Sequence, residues 1–212
     1  MLDMSKYTVK AAKPLPLLLL LDTSGSMSGE KIRHMNQAIK EMIDDLKAAE
    51  QIETEIRVSV ITFGPVQMQF PFTSVSQINW KDLEVTGDTP IGAVLKEAKQ
   101  IIEDRNVLPQ RCYKPTVILV SDGQPTDSWR EAMNAFKTEG RSAKCNRMAM
   151  AIGGDADEQM LSSFIEGTEN VLFHAEDATK IKDFFKFVTM TVTTQVKTIG
   201  QKNASAGGNF DI

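Results

Sequence analysis

The chain has 212 residues, 42% hydrophobic and 25% charged, with a net charge of −4. That is the size and balance of one ordinary globular domain able to bury its own core without disulfides or structural metals. An acidic chain without a basic face is a poor match for nucleic acid or an anionic membrane surface.

Lys6, Lys10 and Lys13 precede the apolar run Leu15-Pro16-Leu17-Leu18-Leu19-Leu20-Leu21, which has the outline of a short secretory core. The run meets Asp22 with no small-residue cleavage site and is too short to span a bilayer. It reads instead as a buried strand, Leu17 to Leu21, since central strands of a parallel sheet are apolar on both faces. Thr23-Ser24-Gly25-Ser26-Met27-Ser28-Gly29 is a polar turn. A helix follows from Glu30 to Ala49, with Ile32, Met35, Ile39, Met42, Ile43 and Leu46 on one stripe. Glu55 to Phe63 alternates and is rich in β-branched residues, predicting a strand. Gln67 to Phe72 pairs with it across Gly64-Pro65, and Pro71 suits an edge. The loop Val85-Thr86-Gly87-Asp88-Thr89-Pro90 leads to a helix with Pro90 at its first position. Its inner face carries Ile91, Val94, Leu95, Ala98, Ile101 and Ile102.

Thr116 to Val120 is the next buried strand, ending in Ser121-Asp122-Gly123. Beyond it come a helix from Ser128 to Thr138, a strand from Arg147 to Ile152, a helix from Asp157 to Phe164 and a strand from Asn170 to Phe173. A helix from Ala178 to about Thr194 closes the pattern, with Ile181, Phe184, Phe185 and Val188 inward. Such alternation predicts an α/β fold, a mostly parallel sheet with helices on both faces. The domain is expected over 14–196, with 197–212 a flexible tail rich in Gly, Ala and Ser.

Ligands of open parallel sheets bind at the carboxyl ends of the strands. Three oxygen-bearing clusters fall there: Asp22-Thr23-Ser24-Gly25-Ser26, Gly87-Asp88-Thr89 and Asp122. Each alone reads as a turn or a helix cap. Together they offer hard oxygen donors. Mg²⁺ takes about six oxygens at about 2.0–2.1 Å and keeps several waters. Ser24, Ser26 and Thr89 can ligate such an ion, while Asp22 and Asp122 hold its waters. Neutral hydroxyl ligands leave the ion electrophilic, so an open position attracts an outside carboxylate.

The pattern Asp22-x-Ser24-x-Ser26, then Thr89, then Asp122-Gly123 resembles the metal-ion-dependent adhesion site of von Willebrand factor A domains. The resemblance covers roughly Pro14 to Thr194. It implies a Rossmann-like three-layer sandwich whose mostly parallel central sheet has one antiparallel edge strand. It also implies Mg²⁺ or Mn²⁺, and a partner protein whose Asp or Glu completes the coordination. The runs LLLDTSGSM, TPIG and VSDGQPTD resemble small bacterial TerY/YegL-type proteins associated with tellurium resistance and stress response. Some relatives append a Cys-rich zinc module, absent here. Many have a small residue where Asp88 stands, which either faces solvent or adds charge beside the ion.

Other chemistries find less material. No G-x-G-x-x-G or G-x-x-x-x-G-K-[ST] follows the first strand. Gly25-Ser26-Met27-Ser28-Gly29 has the outline of a nucleophile elbow, but Met27 holds the central place. His34 and His174 read as surface or structural, and Cys112 and Cys145 as reduced thiols of a cytoplasmic protein. Trp129 is equally a packing residue or an anchor at the rim of the site. A non-enzymatic interaction module is therefore the first expectation. A metal-assisted phosphate hydrolase and a scaffold with a vestigial site are the alternatives.

Overall fold

The computed structural model describes residues 12–50 and 54–206. Its strands are β1 (Lys13–Asp22), β2 (Thr54–Phe63), β3 (Gln67–Ser74), β4 (Thr116–Ser121), β5 (Asn146–Ile152) and β6 (Phe173–Ala175). Its helices are α1 (Glu30–Ala49), α2 (Ile91–Glu103), α3 (Arg130–Thr138), α4 (Glu158–Ile165) and α5 (Ala178–Ala206). The strands form one sheet in the order β3-β2-β1-β4-β5-β6. All neighbours are parallel except β2 and β3, which pair antiparallel at one edge.

The leucine run explains why β1 sits in the middle. Side chains alternate across a strand, so Leu15, Leu17, Leu19 and Leu21 enter one apolar layer with α1 and α5. Leu18 and Leu20 enter the other, with α2, α3 and α4. Leu17 through Leu21 are at most 1% exposed, and each buried leucine contributes roughly 1.5–3 kcal/mol. On α1, Met35, Ile39, Met42, Ile43 and Leu46 are buried and Ile32 is partly so, placing that stripe against the sheet.

Several boundaries differ from the sequence expectation. β1 begins at Lys13 and takes in Pro14 and Pro16. The prolines are tolerated because β4 pairs with β1 only from Leu17 onward, so no strand on that side calls on their missing N–H groups. Pro90 precedes α2 rather than opening it. β6 lies at 173–175 rather than 170–173, because the Asn170 amide instead donates to Asn146 Oδ1 and the Arg147 carbonyl, both at 2.8 Å. The last helix runs well past Thr194. Val192 and Val196 continue its buried stripe, so packing against α1 carries it into the segment expected to be a flexible tail. Residues 207–212 lie outside the described residues. Among the described residues no helix is long and apolar enough to cross a membrane.

Candidate metal centre

β1 and β4 are parallel neighbours with Leu21 opposite Val120, so their carboxyl ends deliver Asp22 and the Ser121-Asp122 pair side by side. Ser121 donates its hydroxyl to Asp22 Oδ2 at 2.6 Å. Asp22 Oδ1 accepts the Ser24 backbone N–H at 2.8 Å, which folds the loop after β1 back over the strand end. The Ser24 and Ser26 hydroxyls lie 3.0 Å apart, and Ser26 donates to Asp122 Oδ1 at 2.6 Å. The other Asp122 oxygen accepts Lys31 Nζ at 2.5 Å. Asp22, Ser24, Ser26 and Asp122 thus form one hydrogen-bonded chain across two strand ends.

Thr89 arrives on a third segment. Thr86 N–H donates to the Thr23 carbonyl at 2.7 Å and Gly25 N–H to the Gly87 carbonyl at 3.1 Å, which ties the 85–89 loop to the loop after β1. Gly87 has a φ of +71°, and a side chain there would be driven into the Gly64 carbonyl, so only glycine lets these loops meet. From the other side, Thr126 N–H donates to the Thr89 carbonyl at 2.9 Å and Thr89 N–H to Thr126 Oγ1 at 3.2 Å. A Cβ built on Gly123 would lie 3.4 Å from Thr89 Oγ1 and 3.6 Å from Ser26 Oγ. The Thr89 and Ser26 hydroxyls therefore face one small space over Gly123. The Thr89 hydroxyl enters no hydrogen bond among the described residues, although Thr89 is only 4% exposed.

The electrostatics follow from burial. Asp22 and Asp122 are both 0% exposed. Desolvation pushes the Asp22 carboxyl above its ordinary value, hydrogen bonds from Ser121 and Ser24 oppose the rise, and the neighbouring Asp122 charge adds to it. Two buried carboxylates side by side are costly unless a cation compensates them. Among the described residues no three Asp, Glu, His or Cys side chains converge, so the donors are hydroxyls plus two carboxylates. This all-oxygen set fits a hard divalent cation such as Mg²⁺ or Mn²⁺. Ser24, Ser26 and Thr89 would supply neutral oxygens, and Asp22 and Asp122 the charge.

Asp88 is exposed, and Trp129 packs against the layer formed with α2, α3 and α4 while stacking under Arg130 at 4.8 Å. His34 lies 3.3 Å from Glu30, and His174 lies 3.4 Å from Glu158. Sequence reasoning missed four supporting residues. Ser121 orients Asp22, Lys31 pairs with Asp122, and Thr126 holds Thr89. Asp127 accepts the Gly92 and Ala93 N–H groups at 2.8 and 2.9 Å, satisfying the first turn of α2. Gly92 permits this approach, since a Cβ there would lie 2.7 Å from the Ser128 carbonyl. The runs TPIG and VSDGQPTD are thus mated surfaces. The Thr-Asp pair in the second was the available signal.

A six-stranded, mostly parallel sheet between two helical layers, with loops gathered at its carboxyl edge, defines a three-layer α/β domain of Rossmann-like build. The chain belongs to the von Willebrand factor type A domain family, whose model matches residues 17–187. It is 23% identical over 197 residues to inter-alpha-trypsin inhibitor heavy chain H4 of Bos taurus, covering 86% of this chain and 21% of that protein. It is 25% identical over 204 residues to heavy chain H2 of Sus scrofa, covering 90% of this chain and 22% of that protein. The chain therefore spans about a fifth of the length of these relatives. In fold it is similar to proximal thread matrix protein 1 from the mussel byssus with a zinc-occupied MIDAS motif. The TM-score is 0.60 at 16% identity, covering 85% of this chain and 48% of that one.

Proposed function

We propose that this domain binds one divalent cation, Mg²⁺ or Mn²⁺, through Ser24, Ser26 and Thr89, with Asp22 and Asp122 holding its waters. In this reading an Asp or Glu of a partner protein takes the remaining position, and the domain is a non-enzymatic interaction module. The observation that supports it best is that Ser24, Ser26 and Asp122 are joined by hydrogen bonds beside the buried Asp22 at the neighbouring strand end, while the Ser26 and Thr89 hydroxyls face one space over Gly123. A divalent ion held there supplies a Lewis-acidic position for an incoming carboxylate. The hydroxyls are neutral, so Asp22 and Asp122 are the only anionic donors among the five side chains. The zinc-occupied MIDAS of the mussel protein supports a metal at this edge. The runs LLLDTSGSM, TPIG and VSDGQPTD support a setting like that of the TerY/YegL-type stress proteins of the cytoplasm.

The test is thermal melting of the wild type and Asp22→Asn with EDTA, Mg²⁺ or Mn²⁺. At a metal concentration of about 100 times Kd the wild type should gain about 2.7 kcal/mol, or about 5–10 °C for a domain of this size. Asp22→Asn should show no metal response. Its metal-free form should melt no lower than wild type, because the buried charge is gone while the Ser24 and Ser121 contacts can persist. A wild type indifferent to millimolar levels of both ions would overturn the reading. Binding of a glutamate-bearing peptide that survives EDTA would overturn its partner half.

A further inference from the structure

We propose that Lys31 is a built-in cationic competitor that sets how tightly this site holds its divalent ion; the inference rests on the metal reading above. Lys31 lies in the first turn of α1, and its Nζ donates to Asp122 Oδ2 at 2.5 Å. The Asp122 side chain is fully buried and that of Lys31 is 33% exposed, so the ammonium reaches inward from the rim. Its tip rests against the turn after β5, where a Cβ on Gly153 would lie 3.7 Å from Lys31 Cε and Nζ. The acidic neighbour Glu30 is engaged by Arg33 and His34 instead, and Asp122 is the bond Lys31 makes among the described residues.

The charge count gives the consequence. Asp22, Asp122 and Lys31 leave the site with one net negative charge. A divalent ion then makes it net positive, whereas without the ammonium the same ion would bring it to neutrality. Ammonium and metal draw on the same buried carboxylate and repel each other at short range, where the low dielectric enlarges the effect. Lys31 therefore stabilises the metal-free domain and weakens metal binding. The site fills only when free divalent ion is plentiful.

The experiment is calorimetric titration with Mn²⁺ of wild type, Lys31→Met, Lys31→Gln and Lys31→Arg, with metal-free melting of each. Lys31→Met and Lys31→Gln should bind Mn²⁺ about tenfold more tightly, equivalent to about 1.4 kcal/mol, and their metal-free forms should melt lower. Lys31→Arg keeps the charge and should stay near wild type. Two neutral variants, one apolar and one hydrogen-bonding, separate loss of charge from loss of packing. Neutral variants that bind Mn²⁺ with wild-type affinity or more weakly would overturn the proposal while leaving the metal site intact. A wild type that binds no ion while the neutral variants do would overturn the tuning role, because the lysine would then exclude the ion outright, and the metal reading of the wild type would fall with it. If no form binds, the metal reading itself falls.

Discussion

Gly87 touches no reacting atom, yet its replacement by alanine should disable the site. The residue sits at φ +71° with its α-carbon against the Gly64 carbonyl. An alanine in the left-handed region costs about 1–2 kcal/mol, and here the methyl also has nowhere to go. The 85–89 loop must withdraw, losing the bonds from Thr86 N–H to Thr23 and from Gly25 N–H to Gly87. Each contributes roughly 1 kcal/mol. The total is about 3–4 kcal/mol, or a fall in Tm of about 10 °C. Because the same bonds hold the loop that carries Thr89 to the space it shares with Ser26, the metal-induced rise in Tm should vanish too. Gly25→Ala is the control, since its methyl would meet nothing nearer than the Gly87 carbonyl at 4.0 Å. It should change stability by less than about 0.5 kcal/mol. Melting curves with EDTA and with Mn²⁺ read both effects. A Gly87→Ala protein within about 1 kcal/mol of wild type, with its metal response intact, refutes the interlocked-loop argument.

Two further outcomes are expected. Asp127→Ala removes the acceptor of two N–H groups in the first turn of α2 and should cost about 1–2 kcal/mol by thermal melting; recovery of part of that loss in Asp127→Asn identifies the capping bond as the cause. Burial pushes the Cys145 thiol up to about 12, so at pH 8 a thiol reagent should label the partly exposed Cys112 and reach Cys145 only in denaturant. Equal labelling rates for both thiols in the native protein would contradict the buried placement.

The central strand and α1 were legible because their patterns are local. Five leucines in a row can only be satisfied between two apolar layers, and the α1 stripe repeats at helical spacing. Asp22, Ser24, Ser26, Thr89 and Asp122 could be proposed as a group because each follows a strand or precedes a helix, which fixes its edge of the sheet. Lys31 could not. In sequence it is an ordinary polar residue in a helix's first turn, and only the folded chain carries it 91 residues away to Asp122. Asp127 was missed for the same reason, since its partners are backbone N–H groups of another helix. The end of α5 was placed too early because the segment from Lys197, with Gly200, Ala204, Ser205 and Ala206, is small and polar and reads as a flexible tail, whereas Val192 and Val196 extend the buried stripe of the helix up to it.

The distance along the chain between the two buried carboxylates has a kinetic consequence. Asp22 is bonded to Ser121, which lies 99 residues further along the chain and next to Asp122, and the two ends meet only because β1 has already found β4. A long loop must close before either acid feels the other. No short stretch of the unfolded polypeptide can assemble this edge, so anything recruited to it recognises the finished sheet alone. Such a guest cannot seed the first steps of assembly. It acts as a latch, lengthening the lifetime of a domain that has already formed.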